Sequence, residues 1–197
     1  MSKKAGVRLM ILGTVLILAA LSLVVYNRFQ EAAAVRAAEQ ILDRMETVTD
    51  GRAHIAATPL PDVLPETEID GNRYIGYLRI PSLELELPVM ADWSYPQLRV
   101  APCRYYGDLR SGMVVAAHNY ERHFGRIRQL QSGEELYFVD MNGRAYRYEV
   151  AEVEVLSPTA IEEMVSADWD LTLFTCTYGG KTRVTVRCVL TPDSGCI

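Results

Sequence analysis

Histidine is scarce in this 197-residue chain: His54, His118 and His123 are the whole supply, so any imidazole chemistry rests on one of the three. Positive charge is short as well. With 20 Lys and Arg against 25 Asp and Glu the net charge is −5, and no cationic cluster supplies the patch that phosphate binding needs, which excludes a nucleic-acid partner. Cys103, Cys176, Cys188 and Cys196 contain no C-x-x-C pair and no zinc-ligand spacing, so no structural zinc site is implied. Four cysteines in an exported domain are instead enough for two disulfides. No internal repeat is visible. With 49% hydrophobic residues, the length suits one well-buried domain with an extension at one end.

The extension is N-terminal. Leu9 to Tyr26 is uncharged and almost wholly apolar, long enough at helical rise to cross a hydrocarbon core. Lys3, Lys4 and Arg8 precede it, which holds the N-terminus in the cytoplasm and sends everything after Asn27 outside. A cleaved signal peptide would carry a shorter apolar stretch ending in a small-x-small site; AALS comes too early and the apolar run continues past it. The next segment, FQEAAAVRAAEQILDRMETV, has Val35, Ile41, Leu42 and Met45 at roughly helical spacing and reads as a stalk helix. Prolines and glycines then interrupt any periodic pattern up to Asp70, marking a linker. The expected organisation is a cytoplasmic tip and transmembrane anchor over 1–28, a helical stalk and Pro-rich linker over 29–70, and a β-rich domain over 71–197.

That domain reads as short strands separated by turn residues, a mainly β barrel or sandwich. YIGYLRIP, LELELPVM, GMVVAAH, ELYFVD, AYRYEVAEVEVL, LTLFTC and RVTVRCVL are the candidates. LELELPV alternates strictly and is expected to be half-buried, while SPTAIEEMVSADWD reads as a short helical or irregular crossover. The most informative pair is LTLFTC and RVTVRC, joined by TYGGK. Gly179-Gly180 suits a two-residue type I′ turn, because both central positions need positive φ. That turn pairs Cys176 with Arg183, Phe174 with Thr185 and Thr172 with Arg187 on one face. Leu173 pairs with Val186 and Leu171 with Cys188 on the other. Leu171, Leu173, Val184, Val186 and Cys188 form the apolar face, so Cys188 is expected to be a core thiol. Cys176 shares its face with Thr172, Arg183, Thr185 and Arg187, with Arg183 closest.

A thiol attacks only as thiolate, so Cys176 as a nucleophile requires a basic or cationic partner. His118 ends the apolar strand GMVVAAH and opens the polar loop NYERHFG, where a side chain reaches the end of a neighbouring strand. His123 lies inside that loop and His54 in the linker, so His118 leads and His123 follows. A metal site at His118-x4-His123 lacks the H-E-x-x-H spacing that stacks two ligands on a helix.

Thr172-Leu173-Phe174-Thr175-Cys176 resembles the sortase signature T-L-x-T-C. TRVTVRC is similar to the strand that carries that family's arginine, AAHNY to the strand end that carries its histidine, and YIGYLRIP to its G-x-L-x-I-P entry. The resemblance covers about residues 74 to 191. It implies a closed sortase-like β-barrel with short helices, carried on the transmembrane helix and stalk, acting as a cysteine transpeptidase of the Gram-positive envelope. Cys176 is then the nucleophile, His118 the general acid and base, and Arg183 the group that steadies the substrate and the oxyanion. The implied partners are proteins bearing an LPxTG-like sorting signal and an amine acceptor on a cell-wall precursor or a pilin; no cofactor or metal is implied. The Cys-to-Arg loop is short, no Asp-Pro-aromatic lid precedes the barrel, and the stretch before TLFTC is too short for the long helix of class B enzymes, which leaves the subclass open.

Papain-like peptidases place Cys ahead of His, whereas here no histidine follows Cys176. A membrane-anchored, non-catalytic extracellular β-domain with structural disulfides is the remaining alternative; it needs Cys176 paired with Cys188 or Cys103. Three further features stand apart. Leu64-Pro65-Glu66-Thr67 is an LPxT sequence and so a candidate pseudosubstrate. Glu162, Glu163, Asp168 and Asp170 are oxygen donors of the kind calcium prefers. Trp93, Tyr95, Tyr105 and Tyr106 are candidates to line a groove.

Overall fold

The computed structural model describes residues 3–48, 54–55 and 60–191. Helix α1 (Lys3–Val48) is unbroken from the apolar run into the expected stalk. Among the described residues it is the one helix long and apolar enough to cross a membrane, and its apolar stretch is exposed. The stalk does not stand free. Ala34, Ala38, Ile41 and Met45, spaced three to four residues apart, are buried against the domain.

Ten strands follow: β1 (His54–Ile55), β2 (Thr67–Ile69), β3 (Asn72–Ile80), β4 (Leu85–Met90), β5 (Cys103–Tyr106), β6 (Met113–Ala116), β7 (Glu135–Asp140), β8 (Arg144–Leu156), β9 (Leu171–Cys176) and β10 (Arg183–Leu190). Two short α-helices sit between them, α2 (Tyr95–Leu98) and α3 (Ile161–Met164), the second within the expected crossover, beside 3-10 turns at Pro81–Leu83 and Phe124–Gln129. Passing from β3 through β4, β5, β6, β9, β10, β8 and β7, each strand bonds to the next, and β7 returns to β3, which closes the barrel. β2 and β1 are appended to β3 and β8. Ile75, Leu78, Val89, Val115, Phe138, Tyr148, Leu173 and Val186 fill one core cluster. A second, with Ile41 and Met45 of α1 packed with Tyr74, Met90 and Cys103, seats the helix on the barrel.

The seating explains a departure from the expected half-buried strand. Leu85 and Leu87 are buried and Glu86 exposed, as alternation requires, but from Pro88 to Met90 every residue is buried. α1 packs against β4, so alternation ends where both sides are occupied.

The β9–β10 hairpin has the expected register: Arg183 opposite Cys176, Thr185 opposite Phe174, Arg187 opposite Thr172, Val186 opposite Leu173 and Cys188 opposite Leu171. Its turn differs from the expectation. The Gly180 amide donates to the Thr177 carbonyl at 2.8 Å, so Tyr178 and Gly179 are the central residues instead of Gly179 and Gly180. Gly179 has φ +88° at the third turn position, which a type II turn reserves for glycine, and Gly180 follows at φ +72°. The Thr177 amide donates to the Thr182 carbonyl at 3.0 Å, a longer loop centred on the same point, which is why the register is unchanged.

Candidate active site

The strands that lead to His118 and Cys176 are parallel neighbours, β6 and β9. Met113 lies beside Leu171 and Ala116 beside Phe174. Past the last strand pair, the Ala117 amide donates to the Phe174 carbonyl at 3.1 Å, and Thr175 Oγ1 donates to the Ala117 carbonyl at 2.8 Å. Two residues on from Ala116 and Phe174 along the same count come His118 and Cys176. Neighbouring strands are about 4.8 Å apart, within reach of one side chain for another.

The loop after His118 is folded tightly on itself. The Phe124 amide donates to the His118 carbonyl, and the amides of His123 and Gly125 both donate to the Tyr120 carbonyl. Gly125 is required here, since a Cβ would meet the carbonyl oxygens of Asn119 and Tyr120 at 2.7 Å each. The Tyr120 ring lies between the two imidazoles, with centroids 5.0 Å from His118 and 5.5 Å from His123. The two histidines differ in setting. His118 is half-buried, and burial, then the nearby Arg99 guanidinium, hold it below the usual imidazole range. His123 is wholly buried, and neither ring nitrogen has a hydrogen-bond partner among the described residues. Burial first, then His118, push its pKa down to about 4, so it is neutral at pH 7. His54 sits on β1 beside Arg144 of β8, away from the strands that carry Cys176.

Arg183 and Arg187 share one face of β10 but have different surroundings. Arg187 is 2% exposed. Its Nε donates to Glu154 at 2.7 Å, Nη1 to Thr172 Oγ1 and the Met164 carbonyl, and Nη2 to the Glu163 carbonyl. The side chain therefore pins α3 to the sheet. Arg183 is half-buried opposite Cys176, and among the described residues Nη1 alone is engaged, donating to the Gly180 and Thr182 carbonyls at 3.1 Å.

Cys103, Cys176 and Cys188 are free thiols; Cys196 lies outside the described residues. The disulfide alternative thus loses the pairings it needs, because Cys176 and Cys188 face opposite sides of one hairpin. Burial raises the pKa of Cys103 to about 12 and that of Cys188 further. Cys176 is only half-buried.

Two surface features lie near the ends of these strands. An aromatic strip begins at Phe174, on the same face of β9, and continues through Tyr105 (centroids 5.3 Å), Trp93 (5.5 Å) and Tyr95 (5.2 Å). Phe174 and Tyr105 are half-buried while Trp93 and Tyr95 are exposed, so the strip is a surface feature. Separately, a cavity of about 700 Å³ is lined by His118, Tyr120 and Tyr178 of the domain and by Tyr26, Asn27 and Glu31 of α1. The helix wall was not legible in the sequence.

The candidate pseudosubstrate is part of the scaffold. Leu64 is buried in the main core, Glu66 pairs with Arg73 and Arg104, and Thr67 is in β2 opposite Tyr74. Its side chains are committed to the barrel and not to the cleft. Two of the acidic residues around α3 are engaged individually: Asp170 accepts from the Leu190 amide and Asp168 from Ser166. Among the described residues no group of three or more His, Cys, Asp or Glu is placed to hold a metal ion.

The fold is thus a closed β-barrel with Cys176 at the end of β9, Arg183 opposite it on β10, and His118 in the loop after the neighbouring strand β6. The sortase domain model matches residues 78–191, more than half of the chain, and the chain belongs to the sortase family. It is 29% identical to sortase A of Bacillus anthracis over 125 residues, 59% of this chain and 59% of that protein. Sortase C1 of Streptococcus suis superposes with a TM-score of 0.54 at 29% identity, covering 62% of this chain and 75% of that one. Sortase C of Clostridium perfringens gives 0.53 at 27% identity, covering 82% and 89%.

Proposed function

We propose that this protein is a membrane-anchored transpeptidase that cleaves an LPxTG-like sorting signal after its Thr and joins that Thr to an amine. The observation that supports this reading is the pairing of Arg183 with Cys176 across the β9–β10 hairpin, on a strand whose parallel neighbour β6 leads into His118. Neutral His118 takes the Cys176 proton, and the thiolate attacks the Thr carbonyl carbon. Charge develops on the carbonyl oxygen, and Arg183 donates to it; the bonds to its own loop use Nη1 only, which leaves Nε and Nη2 for that purpose. As the C–N bond breaks, His118 returns its proton to the departing Gly amine. An incoming amine, on a cell-wall precursor or a pilin lysine, attacks the thioester, gives up a proton through His118 and restores the thiol.

The aromatic strip beside Phe174 supplies an apolar bank for the Leu-Pro portion of the signal. The anchor is α1, with Lys3, Lys4 and Arg8 on the cytoplasmic side and the barrel outside. The test is turnover of a fluorogenic LPxTG-peptide library by the full chain in detergent, with and without an amine acceptor. Thr–Gly cleavage with acceptor joined to Thr is expected, and Cys176→Ala abolishes both. Cleavage at another bond, or equal turnover by the variant, would overturn the reading.

A further inference from the structure

α1 does more at the domain than anchor it. Five residues past Tyr26, where the apolar run ends, Glu31 Oε1 accepts a hydrogen bond from the backbone amide of Glu121 at 2.7 Å. Glu121 lies in the loop that opens with His118, and the ring of its neighbour Tyr120 packs at a tilt against the His118 ring, centroids 5.0 Å apart. Glu31 is itself steadied. Its side chain is only 19% exposed, and its other oxygen lies 3.6 Å from Arg28 one helical turn back. One turn further, Gln30 donates to the Tyr26 hydroxyl at 2.8 Å, which orders the same stretch of helix. The loop's own hydrogen bonds close Phe124 on His118 and Gly125 on Tyr120, and leave the Glu121 amide for the helix.

Resting on the transpeptidase reading, we propose that Glu31 is a positioning residue for His118. The carboxylate clamps the histidine loop through the Glu121 amide, and the turn from Tyr26 to Glu31 forms the cleft wall facing Tyr178. Glu31 touches neither the nucleophile nor the histidine; it acts through the loop. The placement also fixes where the chemistry occurs. Glu31 is about 8 Å along the helix axis from Tyr26, so the cleft opens within roughly two helical turns of the end of the apolar run. A substrate tethered to the bilayer, on either the sorting-signal or the acceptor side, then meets the cleft without leaving the membrane surface.

The test compares the full chain in detergent with Glu31→Ala and Glu31→Gln, reading hydrogen exchange and transpeptidation together. A charge-assisted hydrogen bond of this kind corresponds to about tenfold in an equilibrium constant. Glu31→Ala is therefore expected to speed exchange of amides in residues 118–125 about tenfold, with the β9–β10 amides unchanged, and to lower kcat by a similar factor while KM moves less than twofold. Glu31→Gln, which keeps an acceptor oxygen, recovers most of both losses. Unchanged loop exchange in Glu31→Ala would overturn the proposal, whatever the activity. Faster loop exchange with wild-type kcat would overturn the positioning role. Failure of the wild-type chain to transpeptidate would instead count against the transpeptidase reading, while the exchange result still decides whether Glu31 clamps the loop.

Discussion

The two ends of the β9–β10 hairpin carry the same two residue types in opposite circumstances. At the base, Cys188 is a fully buried thiol and Arg187 a fully buried guanidinium with every nitrogen engaged. At the tip, Cys176 is half-buried and Arg183 commits one nitrogen to its own loop. A cysteine and an arginine therefore build the fold at one end and stay partly accessible at the other. What separates them is how many groups converge on each. The α3 crossover closes over Arg187, whereas beyond Cys176 the strand gives way to an exposed turn in which Tyr178 is 85% exposed.

The largest effect comes from exchanging the cysteines' fates. Cys176→Ala should remove at least about 10⁴-fold of kcat/KM with little change in melting temperature, because a covalent nucleophile has no substitute. Cys188→Ala should do the reverse, holding activity within about twofold while costing about 1–2 kcal/mol for the small cavity left behind. Activity assays beside thermal melts separate the two. The arginines sharpen the same contrast. Arg187→Ala is expected to cost about 3 kcal/mol, since it uncouples α3 and strands Thr172, Glu154 and two carbonyls. Arg183→Ala should barely move the melt, yet lower kcat/KM about 10²-fold by removing an oxyanion donor.

The histidines allow a pH test. The folded-state pKa of His123 is near 4, below the ordinary 6.5, so the unfolded chain binds its proton more readily. Its stabilising contribution is thus complete above pH 6.5 and is lost as pH falls toward 4, about 3 kcal/mol in all. His123→Phe should flatten that part of the stability profile in pH-dependent melts, because neither ring nitrogen gives up a hydrogen bond on replacement. The smallest effect is expected at the strip: Trp93→Ala should raise the peptide KM about fivefold and leave kcat alone, measured by steady-state kinetics.

Much of the candidate site was legible because local rules agreed there. Alternation in LTLFTC and TRVTVRC and a glycine pair between them were enough to pair Cys176 with Arg183, even though the turn closes one residue earlier than its glycines suggested. Elsewhere the deciding groups were remote. The burial of Arg187 depends on carbonyls of Glu163 and Met164, which carry no side-chain signature. β5 is only four residues, Cys103–Tyr106, and its burial pattern does not alternate, so it left no periodic signal. The seating of α1 rests on Ala34 and Ala38, whose size lets the helix approach but whose composition reads as an ordinary exposed helix. Leu64-Pro65-Glu66-Thr67 misled in the opposite direction, since a four-residue likeness to a substrate turned out to be a core leucine, an ion-paired glutamate and a strand.

The central claim is that Cys176 carries the acyl group. The direct measurement is to mix the full chain with an LPxTG peptide in the absence of an amine acceptor, quench in acid, and map the adduct by mass spectrometry. The account predicts a thioester to the peptide's Thr on the fragment containing Cys176, discharged when an amine is added before the quench. No adduct during active cleavage, or an adduct on Cys103, Cys188 or any other residue, would contradict it.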